Sequence, residues 1–221
     1  MLHGTPEIQP RGANRLRSGG YRGKRQFDLA LVLLTAPVTL PVGILCAVAV
    51  RLDSPGPIFF RQPRVGLDGK PFSLWKFRSM LHTKDPNPAF PDDRRVTRVG
   101  HMLRRTSLDE LPQLMNVLRG DMSLVGPRPT LAYQVERYTP AQRQRLSIRP
   151  GLTGLAQIRG RNSLTWERRI EYDLEYRTDQ SLVSDVKILL ATVWVLLRGT
   201  GLKGHPTNDP LATELDGQAP S

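Results

Sequence analysis

The densest group of residues able to do chemistry is the segment Ser107–Pro112, which contains the adjacent carboxylates Asp109 and Glu110. Ser107 and Glu110 have the spacing of a helix capping box. Pro112 favours a register in which Asp109 begins the helix, because the missing N–H of Pro112 would then have been unpaired in any case. A carboxylate there meets the positive end of the helix dipole and should stay ionised, as a nucleophile or metal ligand requires. Spacing alone favours capping over catalysis.

Two rigid loops and an upstream arginine shift this balance towards catalysis. One loop, Gly120–Pro129, holds Arg128 between two prolines, and the other, Arg149–Gln157, leads on to Arg161. Constrained arginines suit bidentate phosphate binding, and glycines let backbone N–H groups approach an anion. Arg104 is placed to hold a phosphate group against the acidic pair. The alternative is a set of ordinary tight turns with solvated arginines.

Asp173 is a further candidate, on a helix predicted over 164–177. Trp166, Ile170, Asp173 and Leu174 recur at helical spacing, so this carboxylate shares the apolar face of the helix. Inward-facing carboxylates are uncommon unless they are paired. A salt bridge with an arginine and a role in the site are equally open.

Composition narrows the class of partner. The formal net charge of +12 indicates an anionic partner, which could be nucleic acid, anionic lipid or a phosphorylated substrate. The four histidines lack ligand spacing, which argues against a zinc site, and the chain contains no Walker loop or dinucleotide fingerprint. The single cysteine, Cys46, permits no intrachain disulfide and is compatible with a reducing compartment.

An apolar run, Phe27–Val50, precedes all of these residues and is long enough to cross a membrane. A straight helix of this length would reach about 36 Å, and a hydrocarbon core is about 30 Å thick. Basic residues flank both ends, which is unfavourable for crossing, and Pro37 and Pro41 favour a kink. We therefore predict a re-entrant membrane helix over 24–51, bent at Pro37, with both flanks on one side. A single span and a cleaved signal peptide are the alternatives.

The remaining chain predicts a mainly α fold with a short β-hairpin. The hairpin is expected around the turn-like cluster Gly66–Gly69, and a helix should start after Thr139, where Pro140 follows a capping residue. The last helix, near its Trp194, suits either a membrane interface or a core. The predicted ranges are a disordered basic tail 1–23, a cytoplasmic domain 52–200 with an exposed loop 82–93 and helices 109–119, 164–177 and 182–198, and a C-terminal tail 201–221.

With these motifs, the chain resembles the bacterial sugar transferases, in particular the minimal monotopic polyprenol-phosphate phosphoglycosyl transferases. The resemblance extends from about Lys24 to Gly199, so it covers most of the sequence. The matching motifs are Lys24-Arg25-x-x-Asp28, Gly56 to Gly66, Lys76 to Met80, Ser107 to Leu114, Gly120 to Pro129, Arg149 to Gln157 and Gly160-Arg161.

The resemblance implies a fold and a reaction. The fold is a re-entrant membrane helix plus a compact cytoplasmic domain with interfacial amphipathic helices, monotopic on the cytoplasmic face of the bacterial inner membrane. The reaction transfers a sugar phosphate from a nucleotide sugar, usually UDP-linked, to polyprenol phosphate and releases UMP. Asp109 would form a covalent phosphosugar intermediate, and Glu110 together with Asp109 would bind Mg²⁺.

The resemblance also implies further site residues and partners. The candidates for phosphate and nucleotide contacts are Arg104, Arg128, Arg149, Gln157 and Arg161, with Asp173 added from its helical face. The basic charge is assigned to these substrates and to an anionic membrane surface rather than to nucleic acid, and a homodimer is compatible.

The sequence departs from the family pattern at the predicted bend of the membrane helix. Ala36 precedes Pro37, where the family commonly has serine, so the hydroxyl of Thr35 or Thr39 would have to satisfy the freed backbone carbonyls. The competing hypothesis is a non-enzymatic basic anchor that binds anionic lipid or nucleic acid. That hypothesis leaves two ordered motifs unexplained, namely the acidic pair and the Pro-Arg-Pro loop, Pro127-Arg128-Pro129.

Overall fold

A computed structural model of the chain describes residues 20–81, 95–160 and 163–198. This part of the chain is mostly helical, as predicted, and it contains two small strand pairs. Most of the predicted basic tail, the 82–93 loop, Arg161 and the C-terminal tail lie outside the described residues. The helices are α1 Lys24–Asp53, α2 Arg98–Thr106, α3 Leu114–Arg119, α4 Ala132–Glu136, α5 Pro140–Arg143, α6 Leu155–Arg159, α7 Trp166–Asp179 and α8 Leu182–Arg198.

The predicted hairpin is confirmed. Strands β1 (Phe59–Val65) and β2 (Pro71–Phe77) pair antiparallel, joined through a short 3₁₀ turn that includes Gly69 at φ 78°. The register sets Phe60 opposite Lys76. Because side chains alternate along a strand, Lys76 points away from the face that its neighbours on β2 present.

A second, parallel strand pair was not predicted. Strand β3 (Ser123–Val125) pairs with β4 (Gly151–Thr153), and the two meet at closely packed glycines. A Cβ on Gly151 would lie 2.1 Å from the Gly126 nitrogen, so only glycine fits. The N–H of Gly126 donates to Thr153, and that of Gly151 donates to Pro127. Each of these two N–H groups is therefore bonded to a carbonyl of the other segment. The expectation that such N–H groups approach an anion is wrong for Gly126 and Gly151.

Helix α1 is an unbroken 30-residue helix that contains both Pro37 and Pro41. It is the single helix, within the described residues, that is long and apolar enough to cross a membrane. The hydroxyl of Thr35 donates to the carbonyls of Leu31 and Val32, not to the Leu33 carbonyl that Pro37 deprives of its partner. The exposed apolar side chains of α1 are Leu33, Leu34, Val38, Leu40, Ile44, Leu45, Val48 and Leu52.

The N-terminal end of α1 is bound to the rest of the domain by buried polar contacts. Lys24 lies 2.6 Å from Asp185 of α8, and Tyr176 donates to the same carboxylate at 2.6 Å. Asp28 accepts from the Ser123 hydroxyl and from the backbone N–H of Leu124 on β3. This end of α1 is therefore fixed against β3, α7 and α8.

The C-terminal end of α1 is bound to the same domain by the Asp53 carboxylate, which accepts from the Val99 N–H, and by a guanidinium. Arg78, which follows β2, donates to the carbonyls of Val50 and Ser54 and to the Ser54 hydroxyl. Carbonyls at a helix C-terminus lack partners within the helix, and a cation there also complements the helix dipole. Both ends of the apolar helix thus contact one folded domain.

Helix α8 has two different faces. Asp185 and Ile188 are buried, and the Thr192 hydroxyl contacts that of Thr153 on β4. The opposite face is apolar and exposed at Leu182, Val183, Val186, Leu190, Val193, Trp194 and Leu196. The helix therefore packs one side on the core, and its exposed apolar side is compatible with the predicted membrane interface.

Helix starts follow the sequence signals where a capping residue is present. Thr139 accepts from Gln142, with the predicted proline at the first position of α5, and Thr165 accepts from Arg168 at the start of α7. Helix α2 was not predicted, although Thr97 caps it by accepting from Gly100.

We expect Asp185→Asn to lower the free energy of unfolding by about 3–5 kcal/mol, because it leaves the buried ammonium of Lys24 without its counter-ion. Chemical unfolding of the purified protein in detergent measures this change. Arg168→Gln is the matched control, because Arg168 pairs with Glu171 on the exposed face of α7 and should change stability little. Equal stability of the Asp185→Asn variant and wild type would contradict the role assigned to this pair.

Candidate active site

The acidic pair lies on a 3₁₀ turn, Leu108–Gln113, between α2 and α3. The predicted register is wrong, because the turn begins at Leu108 and the residue before it, Ser107, is left-handed at φ 60°. The capping box is not formed, since the N–H of Ser107 donates to Arg104 and the Glu110 carboxylate has other partners. Helix capping therefore does not account for the acidic pair.

Glu110 is held by two cations. Its Oε1 accepts from Arg128 at 2.6 Å and from Lys76 at 2.9 Å, and Oε2 accepts a second Arg128 bond at 3.3 Å. Burial alone would raise the pKa of this carboxyl, but the two charges and their hydrogen bonds outweigh burial and lower it well below its usual range. Glu110 is therefore ionised.

The pKa of Asp109 is shifted in the opposite direction to that of Glu110. Its side chain is buried, and its nearest cation is the Lys76 ammonium, 3.9 Å from Oδ2. Burial raises the pKa of Asp109, the charge of Lys76 opposes this, and the negative charge of Glu110 adds to it. The sequence predicted that a helix dipole would favour the ionised form of this carboxyl, whereas in the structure burial is the largest influence on its pKa. Adjacent carboxyls whose pKa values are pushed apart are typical of catalytic sites.

Two cationic residues of the site were missed at the sequence level, and both lie on the hairpin. Lys76 contacts both carboxylates from β2. Arg64 on β1 donates to the carbonyl of Pro129 and to Gln62, and burial together with the charge of Arg128 lowers its pKa to about 10. The signal available was a basic residue inside each short strand of the hairpin.

Helix α3 attaches the hairpin to the acidic turn. Asn116, fully buried in α3, accepts from the backbone N–H of Trp75 and donates to the carbonyl of Ser73. These bonds satisfy backbone groups of β2 one and three residues before Lys76. The position of the Lys76 ammonium is therefore fixed by the helix that directly follows the acidic turn.

Arg104 and Arg128 are the predicted arginines that the structure brings to the acidic pair. Arg104, near the end of α2, donates to the Ser79 hydroxyl at 2.9 Å, and its charge lowers the pKa of Asp109. Arg128 is partly exposed, and its contacts with Glu110 have the bidentate form typical of guanidinium and carboxylate. Together with the two hairpin cations, they give four positive charges around two carboxylates.

Asp173 is connected to this cluster through Arg145. It forms a fully buried ion pair with Arg145, whose guanidinium also donates to the Tyr138 hydroxyl and to the backbone carbonyl of Arg128. The structure thus has the salt bridge that the sequence left open. Asp173 holds the Pro-Arg-Pro loop through Arg145 and is too enclosed to touch a substrate.

The other predicted contacts lie around the strand pair β3–β4. Arg149 donates from Nε to the carbonyl of Gly120, at the end of α3. The amide of Gln157 on α6 is buried, and neither of its polar atoms has a hydrogen-bond partner within the described residues. A Cβ on Gly154 would lie 3.0 Å from the Gln157 oxygen and 2.2 Å from the Gly126 carbonyl, so this amide lies beside the Pro-Arg-Pro loop.

The carboxylates fit one mode of binding a divalent cation. The described residues contain no group of three or more metal-ligating side chains. Mg²⁺ is commonly bound by one or two carboxylates together with substrate phosphates, and Asp109 and Glu110 supply such a pair. Full protein coordination, as in a structural zinc site, does not fit this donor set.

Comparison with known proteins places the chain in a family. Residues 20–199 match the family model described as bacterial sugar transferase. The uncharacterized sugar transferase EpsL of Bacillus subtilis is 43% identical over 195 residues, which cover 88% of this chain and 96% of EpsL.

Two further relatives are named UDP-glucose:undecaprenyl-phosphate glucose-1-phosphate transferase. The Caulobacter vibrioides protein is 47% identical over 186 residues, 79% of this chain and 69% of that protein. The Escherichia coli protein is 46% identical over 194 residues, 83% of this chain but 40% of its own length. The resemblance is confirmed, and the chain belongs to the bacterial sugar transferase family.

Proposed function

We propose that this enzyme transfers a sugar 1-phosphate from a UDP-sugar to polyprenol phosphate and releases UMP, through a covalent intermediate on Asp109. The observation that carries the proposal is the geometry of the pair Asp109–Glu110, since Lys76 lies 3.9 Å from Asp109 and 2.9 Å from Glu110, and Arg128 lies 2.6 Å from Glu110. Burial and these charges shift the pKa values of the two carboxyls in opposite directions. A cationic cluster suits a diphosphate, and a carboxylate within it suits a nucleophile. The relatives named for transfer from UDP-glucose to undecaprenyl phosphate support the same chemistry.

The reaction proceeds in two displacements at one phosphorus. In the first, a carboxylate oxygen of Asp109 attacks the sugar-linked phosphorus, and the bond from that phosphorus to the bridging oxygen breaks. UMP leaves with the electron pair of that bond, and an aspartyl phosphosugar remains. In the second, an oxygen of polyprenol phosphate attacks the same phosphorus, the bond to Asp109 breaks, and the product is a polyprenol diphosphate sugar with a free Asp109 carboxylate.

The cations stabilise the charge that these steps create. Lys76, which contacts both carboxylates, lies where the transferred phosphoryl group must approach Asp109. Glu110 keeps Lys76 and Arg128 in place by accepting from both. Mg²⁺ would be held by Asp109 and Glu110 with the substrate phosphates, and when bound it would neutralise charge on the diphosphate.

The placement of the site favours a lipid substrate. Leu111 of the acidic turn lies against α1, so that a Cβ on Gly43 would be 3.5 Å from its side chain. The acidic turn therefore lies beside the second half of the apolar helix. We therefore expect a lipid phosphate to reach this site at the membrane interface, and the exposed apolar face of α8 supports the same placement.

A monotopic arrangement explains the contacts of α1 better than a span. If α1 crossed the bilayer, its ends would lie on opposite faces, about 30 Å apart. The contacts of Asp28 with β3 and of Arg78 with Val50 instead tie both ends to one domain. We therefore place both ends of α1 and the catalytic domain at the cytoplasmic face of the inner membrane.

Asp109→Asn should abolish labelling of the protein by UDP-sugar alone and should reduce transfer by a factor on the order of 10⁴, because the nucleophile is lost. Mass spectrometry of the intact protein after incubation with a panel of UDP-sugars measures labelling, and UMP release measures turnover. Asp68→Asn in the exposed hairpin turn is the matched control and should label as wild type does. An active Asp109→Asn variant would rule out the covalent mechanism, and wild-type binding of lipid without UMP release would favour the non-enzymatic anchor.

Lys76→Met should move the acid limb of the kcat/KM profile to higher pH. Asp109 must be ionised to attack, so activity falls as the pH drops through its pKa. Burial raises the pKa of Asp109 and Lys76 opposes that effect, so removal of Lys76 raises the pKa further. The measurement is the pH dependence of UMP release, with Lys70→Met in the exposed turn as control. An acid limb that stays in place or moves to lower pH would contradict this assignment.

Cysteines at positions 22 and 70 should react with a membrane-impermeant maleimide from the same side of the membrane. Arg22→Cys and Lys70→Cys are both exposed positions and lie before and after α1. The buried Cys46 is replaced by alanine in both variants. Inside-out vesicles should label both positions and right-side-out vesicles neither. Labelling from opposite sides would establish a single span.

A further inference from the structure

The charges of the site form an ordered series. Arg104 acts electrostatically on Asp109, at one end of the acidic pair. Lys76 contacts both carboxylates, and Arg128 contacts Glu110. Arg64 donates to the carbonyl of Pro129, the residue after Arg128, and the charges of Arg128 and Glu110 act on it. Within the described residues, the cation that forms an ion pair with Asp109 is Lys76, so Arg64 lies on the Arg128 side of the acidic pair.

Arg64 is a half-buried cation that forms no ion pair within the described residues, where no carboxylate lies within ion-pair distance of its guanidinium. Its Nη1 donates to the Pro129 carbonyl at 3.3 Å, its Nη2 donates to Gln62 at 2.7 Å, and its buried Nε has no hydrogen-bond partner. A partly desolvated charge next to a second guanidinium is unfavourable without an anion in contact with it. An anion beside Arg64 and Arg128 would remove that penalty.

The geometry points to Arg64 and Arg128 as a subsite for the second phosphate, used in turn by the phosphate of UMP and by the phosphate of polyprenol phosphate. This inference rests on the proposed function. The attacked phosphorus must lie next to Asp109, and in a displacement the attacking and leaving oxygens lie roughly in line. The leaving phosphate is therefore on the side away from Asp109, where Arg64 lies. The acceptor phosphate attacks from that same side in the second step.

The competing role for Arg64 is to position the Pro-Arg-Pro loop through its bond to the Pro129 carbonyl. The two roles predict different kinetics. A phosphate ligand should change the affinity for UMP and the KM for polyprenol phosphate, whereas a positioning residue should lower kcat. Uridine, which has no phosphate, should be insensitive to a phosphate ligand at Arg64.

The test compares the full-length wild-type enzyme in detergent with Arg64→Gln and Arg64→Lys, and with Arg168→Gln as a control on the exposed face of α7. The Kd values of UMP and uridine are measured by calorimetry. The KM for a short-chain polyprenyl phosphate is measured with enzyme already carrying the phosphosugar. We expect Arg64→Gln to raise the Kd of UMP and the KM for polyprenyl phosphate about tenfold each, since charged hydrogen bonds are lost. Arg64→Lys should restore part of each loss, and uridine binding should not change.

An unchanged affinity for UMP, or a fall in kcat with both constants unaltered, would overturn the subsite. A parallel loss of uridine binding would also overturn it, because the defect would then lie in the fold of the site. The comparison of UMP with uridine needs no turnover. If the wild-type enzyme forms no covalent intermediate, the proposed mechanism fails, while this comparison still decides whether Arg64 binds phosphate.

Discussion

The bonds of Glu110 to Lys76 and Arg128 are the interaction on which the site depends. They join three segments that are distant in sequence, namely the hairpin, the 3₁₀ turn and the Pro-Arg-Pro loop. Without the carboxylate of Glu110, two cations would face each other at the surface of a buried acidic residue, Asp109. Because Glu110 takes up that charge, Asp109 keeps a raised pKa while an ammonium stays 3.9 Å away. The Asp109 carboxyl is thus buried beside a cation that lies farther away than a hydrogen-bond distance.

The segments that carry Lys76 and Arg128 are themselves held in place by further hydrogen bonds. Asn116 holds the backbone of β2 next to Lys76, and Arg145, neutralised by Asp173, holds the carbonyl of Arg128. A buried ion pair of this kind is weak evidence for stability, but it gives the loop a single position. Catalytic groups must be held close to their productive geometry, so such supporting contacts matter for the reaction rate.

The sequence predicts those features whose cause is local. The hairpin follows from the turn-like cluster Gly66–Gly69, and the start of α5 follows from Thr139, which caps it. Helix α7 was predicted from residue 164 and begins at Trp166, after its cap Thr165. The acidic pair was found from its residue types. Pairing between β3 and β4, and the approach of Lys76 and Arg64 to Glu110, depend on contacts between residues far apart in the chain. Local patterns contain no information on such distances, which is why these features were missed.

The same distinction explains the register of the acidic turn. Capping rules apply to a helix end that faces solvent, where a side chain is the nearest partner for a free N–H. Here Ser107 adopts a left-handed conformation to end α2 and start the next turn within one residue. After that sharp reversal, the Glu110 carboxylate contacts Lys76 and Arg128, so the charge that would have capped a helix instead holds two cations of the candidate site. The turn thus lacks the local capping bond, and Glu110 instead contacts residues of other segments. The site therefore forms only when those segments are folded together.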